Sequence, residues 1–224
     1  MDKNVFELKK PIFDKLIEFG FSLSGETYSY ITRIYKGQFE LRVEVSGSSG
    51  EVKTELIDRA TDEPYTLHLV ADASGAFVGS VRADYERVLT EISEKCFERD
   101  VFKSAGARKV IEYVRGKYGD ELEYLWEKFP TNAVFRRKDN DKWYGAILVI
   151  SKRKLGLKSD EVVDVIDLRI DPEVLPSVVD GKRYFAGYHM NKKNWFTICL
   201  DGSVDIAEVC EWLDKSYALA SKKK

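Results

Sequence analysis

The residues best placed to do chemistry are cations gathered in the second half of the chain. Arg136, Arg137 and Lys138 form one group with Lys142 beside it, and Lys152, Arg153 and Lys154 form another. Lys158, Lys182, Arg183, Lys192 and Lys193 complete the set. Most fall at expected strand ends or hairpin loops, from which a cation can reach a phosphate without burying the sheet. Trp143, Tyr144, Tyr184, Tyr188 and Trp195 interleave with them, and aromatic faces can stack on exposed bases. Against this, lysine-rich hairpin tips also keep sheet edges from pairing with other chains. A second candidate is His189, followed by Lys192, Lys193 and Asn194, a group suited to holding an anion or taking a proton. No serine, cysteine or carboxylate adjoins it in sequence, so a structural imidazole is expected and no catalytic residue is assigned.

Other candidates carry less. Cys96, Cys199 and Cys210 lack metal-type spacing, and an odd count of three reads as buried free thiols. The two histidines, His68 and His189, lie in different halves, so no metal site or cofactor is expected. His68 reads as an outward-facing sheet residue. The stretch from Asp72 to Gly79 has glycines but no lysine where a phosphate loop needs one. Asp84, Glu86, Glu91, Glu94 and Glu98 line the outer face of a helix, interleaved with Arg82, Arg87, Lys95 and Arg99, and read as a solvated face. Asp164, Asp167 and Asp171 are badly spaced for two-metal work. Asp164 shares the parity of Val162, Ile166 and Leu168, Asp167 takes the opposite face, and neither is assigned any chemistry.

The elements that must position these residues follow from periodicity. A helix is expected over 5–19, broken or started at Pro11 and ended by Gly20. Strands follow at Tyr28–Tyr35 and 38–45 around a Lys36-Gly37 turn, then near Val52–Ile57 and over Tyr65–Val70. A helix with its stripe at Val81, Val88, Leu89, Ile92 and Cys96 closes the first half. The second half repeats the order. A helix carries Ala107, Val110, Ile111 and Val114, and a short one carries Leu122, Leu125, Trp126 and Phe129 before Pro130. Strands are expected at Val134–Lys138, Trp143–Ile150, Val162–Ile170, Arg183–Tyr188 and Trp195–Leu200, with a brief turn or helix after Asp171-Pro172. The last helix spans Val204–Leu219, its stripe at Ile206, Val209, Cys210, Leu213 and Tyr217. Trp195, between apolar neighbours, reads as core.

The run Tyr188-His189-Met190-Asn191-Lys192-Lys193-Asn194-Trp195, then a hydrophobic strand ending Leu200-Asp201, resembles the C-terminal signature of the MmcQ/YjbR family. Lys142-Trp143-Tyr144 at a strand start and a closing helix ending near Ser216-Tyr217 support the resemblance, which covers about residues 105–220. It implies a frataxin-like (CyaY-like) fold, helices flanking an antiparallel sheet, and DNA binding through a double-wing arrangement.

Composition bounds the rest. The chain has 224 residues, 44% hydrophobic and 12% aromatic, enough for one large or two small cores. No apolar run of about eighteen residues suggests a membrane span, and Met1-Asp2-Lys3-Asn4 opens no signal-type stretch, so a cytoplasmic protein is expected. The net charge of −2 divides into about −6 for residues 1–100 and about +4 for 101–224, part of it from the Lys222-Lys223-Lys224 tail. A local basic surface is open to this chain, but a basic field over the whole molecule is not. The expected fold is α+β, two helix-flanked antiparallel sheet domains. Residues 1–100 run α-β-β-β-β-α, a diverged copy of residues 101–224. The expected function is non-enzymatic DNA binding through Arg136, Arg137, Lys138, Lys142, Lys152, Arg153, Lys154, Lys182, Arg183, His189, Lys192 and Lys193. The alternative is a protein- or small-molecule-binding module using a groove between the halves.

Overall fold

A computed structural model describes residues 5–221; Met1–Asn4 and the Lys222–Lys224 tail, where two of the expectations above fall, lie outside the described residues. The chain divides into two compact units, Met1–Asp100 and Val101–Lys224.

In the first unit the elements run β1 (Lys9–Pro11), α1 (Phe13–Phe19), β2 (Ser22–Ser24), β3 (Thr27–Ile34), β4 (Phe39–Ser46), β5 (Val52–Asp58), β6 (Glu63–Pro64), α2 (Ala76–Cys96) and β7 (Phe97–Arg99). Strands β2 to β6 form one antiparallel sheet in sequence order, and β1 pairs with β7 in a separate ribbon. Pro11 thus ends a strand rather than starting the helix, which begins at Phe13 and closes on Gly20 in the left-handed region at φ 115°. The β3–β4 turn takes four residues, 35–38, not the expected two, with Tyr35 and Lys36 both at positive φ. Phe39, Leu41, Val43 and Val45 on β4 are buried against the α2 stripe of Val81, Val88, Leu89 and Ile92. The expected strand at Tyr65–Val70 does not form. Only Glu63–Pro64, just before it, pair as β6, and Leu67–Leu69 makes a single 3-10 turn. His68 is consequently buried, its ring stacked on Tyr65 and edge-on to Tyr85, so the outward-facing expectation is corrected.

In the second unit the order is α3 (Ala105–Tyr118), β8 (Asn132–Arg136), β9 (Trp143–Ser151), β10 (Val162–Arg169), α4 (Leu175–Val178), β11 (Tyr184–Ala186), β12 (Trp195–Cys199) and α5 (Ile206–Ser221). The sheet runs β11-β12-β10-β9-β8, antiparallel throughout. Helix α5 packs across β9 and β10, with α3 against α5. Ser104 caps α3 by accepting the Ala107 N–H at 3.1 Å, and Gly119 at φ 66° ends it. The short helix expected over 122–129 is absent. Glu123 instead exchanges both backbone hydrogen bonds with Val134, each at 3.0 Å, which pins this segment beside β8 as a bridge. The architecture is α+β, antiparallel sheets flanked by helices.

Candidate functional site

The β8–β9 turn shows what the densest run of cations does. Arg137 is 8% exposed. Its guanidinium lies 3.9 Å over the Tyr217 ring, donates to the Tyr217 carbonyl at 3.0 Å, and grips Asp139 with two nitrogens at 2.6 and 2.8 Å. Asn140 donates to the Ala220 carbonyl at 3.0 Å. Lys138 donates to the carbonyl of Gly119, the cap of α3, at 2.5 Å. The last carbonyls of a helix lack partners and carry its negative dipole end, so donors and cations belong there. Two of the residues read as phosphate contacts therefore tie down the C-termini of α5 and α3.

The other cations divide. Arg136 pairs with Glu123 at 2.9 Å, Arg153 with Asp160 at 2.5 Å and Arg183 with Glu208 at 2.9 Å. Lys152 bridges Glu161 at 2.9 Å and Asp201 at 2.7 Å, which raises its own pKa and, despite partial burial, holds Asp201 at about 2. Lys142 is half-buried, with contacts of its own. Lys154, Lys182, Lys192 and Lys193 are exposed in three separate loops, with no ion pair among the described residues. Cys96 and Cys199 are buried free thiols and Cys210 is half-buried. Burial pushes Cys199 up to about 11, so its thiolate is scarce at neutral pH.

His189 belongs to a different arrangement. It sits in the loop between β11 and β12, in the left-handed region at φ 58°, with its ring 4.2 Å from that of Tyr188. Gly187 starts this loop because nothing larger fits, since a Cβ there would meet Trp195 at 2.9 Å. From that tight start the chain folds back over the sheet face opposite the helices. Tyr188 and Met190 pack on a cluster that includes Val134, Leu148, Val165 and Cys199. Where the loop approaches the segment before β8, the two leave a cavity of about 250 Å³. Trp126, Phe129, Trp143, Tyr188, His189 and Met190 wall it, over a floor that includes Ala146 and Leu148. The indoles of Trp126 and Trp143 meet edge to face, 5.6 Å apart at 87°. Phe129, at 58% exposed, stands at the rim with no apolar cover.

At the base of this pocket lies Asp167. It sits on β10 opposite Ala146 of β9 and Thr197 of β12, and is 0% exposed. Its Oδ1 accepts the Thr197 hydroxyl and, at 3.2 Å, the Tyr188 N–H. Thr197 in turn accepts that same N–H at 2.9 Å, so strand and loop close on the carboxyl from two sides. Its Oδ2 is buried with no hydrogen-bond partner among the described residues. Burial raises the pKa from 3.8 to about 7, the two hydrogen bonds on Oδ1 opposing this only in part.

Asp167, assigned no chemistry on its spacing, is thus fully buried with one carboxyl oxygen unpartnered among the described residues. Asp164, three residues earlier, is spoken for, its Oδ2 accepting the Ser104 N–H at 2.9 Å. The neighbours of Asp167, Ile166 and Leu168, point to the opposite face of the strand, so the sequence around Asp167 carries no sign that its own face is covered.

The comparisons with known proteins agree with this unit. A sequence model of the YjbR family matches residues 115–219. The Bacillus subtilis "Uncharacterized protein YyaQ" is 34% identical over 110 residues, 49% of this chain and 93% of that protein. A crystal structure of a Pseudomonas syringae protein is 39% identical, covering 50% of this chain and 97% of its own, with a TM-score of 0.49. A Deinococcus radiodurans protein of the DUF419 type is 22% identical, covering 52% of this chain and 79% of its own, with a TM-score of 0.41. With 93% of one relative covered at 34% identity, and the family model placed at residues 115–219, the chain belongs to the MmcQ/YjbR family.

Proposed function

We propose that residues 101–224 form a non-enzymatic binding module for a small molecule, held in the pocket above Asp167. The observation that carries this is Asp167 Oδ2, an acceptor taken out of water on a residue that lines an aromatic cavity, with no hydrogen-bond partner among the described residues. A buried polar atom without a partner costs about 1–3 kcal/mol, more if charged, so a ligand that completes it recovers that cost on binding. Small-molecule sites are mostly apolar concavities with a few convergent polar groups, and this pocket has that composition. The small-molecule alternative in the sequence reading used a groove between the halves; the pocket lies wholly within residues 126–190. No serine, threonine, cysteine or lysine among the described residues lines the pocket, which favours binding over catalysis.

The test uses four compact probes, butylamine, 1-butanol, phenethylamine and 2-phenylethanol. All four tryptophans (Trp126, Trp143, Trp195 and Trp212) lie in this unit, and two of them wall the pocket. Binding should therefore change intrinsic fluorescence saturably and raise the melting temperature. Ala146→Leu, which projects a larger side chain from the floor, should abolish both effects while the circular dichroism spectrum is retained. Silence from all four probes in the wild-type chain would end this reading.

A second reading, phosphate contact with DNA by the family's proposed double wing, is favoured by the four exposed lysines, Lys154, Lys182, Lys192 and Lys193. Four phosphate contacts predict a slope of log Kobs against log salt of about −3.6 on duplex DNA. Lys192→Ala with Lys193→Ala should halve it without lowering the melting temperature. Fluorescence anisotropy with labelled duplex over a salt series checks this, and no binding at low salt removes it.

A further inference from the structure

The pocket's own chemistry narrows the class of ligand, a step that rests on the small-molecule reading above. We infer that the occupant presents a protonated amine, its N–H received by Asp167 Oδ2 and its alkyl or aryl body lying in the corner between Trp126 and Trp143.

Three features of the wall point this way. First, Oδ1 already accepts from Thr197 and Tyr188, so what the carboxyl still lacks is a donor at Oδ2. Second, no lysine or arginine among the described residues lines the pocket, although this half of the chain carries the molecule's excess of cations. A site for a phosphate or carboxylate would be built the other way round. Third, the faces of Trp126, Trp143 and Tyr188 carry the negative lobes of their ring quadrupoles and so attract a cation. Trp126 and Trp143 stand at 87° to each other, forming a corner and not a parallel slot. A corner accepts an alkyl chain, or an aryl ring laid on one face and edge-on to the other, and does not demand a flat ring sandwiched between two faces.

An amine also resolves the carboxyl's electrostatic position. The groups around it are Tyr188 and His189 from the loop, Asn132 from β8, Ala146 from β9 and Thr197 from β12. Arg169, two residues along the same face, has its guanidinium on the Trp143 carbonyl at 2.5 Å and over the Trp195 ring at 4.7 Å. Burial, opposed in part by the hydrogen bonds on Oδ1, leaves the carboxyl half-protonated near pH 7. A bound ammonium supplies the missing counter-charge, so the amine should bind as the proton leaves. Affinity for an amine, itself cationic throughout, is then expected to rise about tenfold between pH 6 and pH 8, while affinity for the matching alcohol stays flat.

The experiment compares butylamine with 1-butanol and phenethylamine with 2-phenylethanol by tryptophan fluorescence, at pH 6, 7 and 8, in the full chain and in Asp167→Asn. The expected result is at least a tenfold preference for each amine at pH 8, growing with pH in the wild type and lost in Asp167→Asn. Should Asp167→Asn fail to fold, the pH series is repeated in His189→Gln, which shares the wall, and a pH-dependent amine preference lost there would overturn the assignment to Asp167. Alcohols bound as tightly as amines would overturn the amine assignment and leave the pocket reading standing. An amine preference that is independent of pH or survives Asp167→Asn would likewise overturn it. No response to any probe would remove both.

Discussion

The two sheets treat charge on their outer faces differently. In the first unit, β4 alternates Phe39, Leu41, Val43 and Val45 toward the helices with Glu40, Arg42 and Glu44 toward solvent. Arg42 lies there between Glu40 at 2.9 Å and Glu55 at 3.7 Å, all in contact with water. In the second unit, β10 is buried at every position from Val163 to Leu168, because loops cover the face that the helices do not. The same side-chain chemistry gives a solvated ion ladder on one sheet and an unpaired acceptor in an aromatic pocket on the other. Cover, not composition, makes the difference. A carboxylate becomes a candidate binding group when the face it points from has been closed over with apolar side chains and one of its oxygens left unspent.

The covered sheet should be the more sensitive to perturbation. Trp195, buried to 6% and carrying the Arg169 guanidinium on its ring, lies on the same face as Thr197. Trp195→Ala is expected to destabilise the second unit by about 3–5 kcal/mol. Urea unfolding followed by the fluorescence of the three remaining tryptophans checks this, since the first unit contains none. A loss under 1 kcal/mol would mean that the loop cover contributes little to the fold.

Next in size is the pH response of Asp167. Its folded pKa of about 7 lies above the ordinary 3.8, so between those values the folded chain holds a proton that the unfolded chain has released. Stability of the second unit should therefore fall as pH rises from about 4 to 7, by up to about 4 kcal/mol, and stay flat beyond. Asp180, held at about 2 by the backbone N–H groups of Lys182, Arg183 and Tyr184, and Asp201 work in the opposite sense, but below pH 4. Asp167→Asn should abolish the slope between pH 5 and 7, read from urea midpoints by tryptophan fluorescence. A slope that survives would show that the carboxyl is solvated.

Much of this architecture was legible in the sequence, and the exceptions share a cause. Period-two alternation identified β3 and β4, three-to-four spacing identified α2, α3 and α5, and the run from Tyr188 to Trp195 placed the chain in its family. These signals report on a segment's own periodicity. The misread segments are those decided by a distant partner. Residues 65–70 gave up the strand as His68 packed between Tyr65 and Tyr85, and residues 122–129 gave up the helix as Glu123 bridged to Val134. The surroundings of the candidate site residues are set by distant partners in the same way. Arg137 and Lys138 look like surface cations until the C-termini of α5 and α3 arrive beside them. Asp167 looks solvent-facing until the loop from Gly187 folds over it, and no local pattern announces that a sheet's second face is closed.

The smallest expected effect tests the open sheet. Arg42 bonds with Glu40 and Glu55 where water reaches all three, so its pKa is raised, mainly by the hydrogen bond it donates to Glu40, without any burial to strengthen the pairing. Exposed pairs of this kind pay side-chain entropy for modest screened attraction and are often silent in mutational cycles. Arg42→Ala should leave the first unit's unfolding midpoint unchanged within error at 150 mM salt. The measurement is urea unfolding by far-ultraviolet circular dichroism, with the tryptophan signal recorded in parallel to separate the second unit. A clear loss that shrinks at high salt would show that the open face carries more electrostatic order than its exposure implies. The contrast between the sheets would then be one of degree, and the unspent oxygen of Asp167 would have to carry the functional argument without support from its cover.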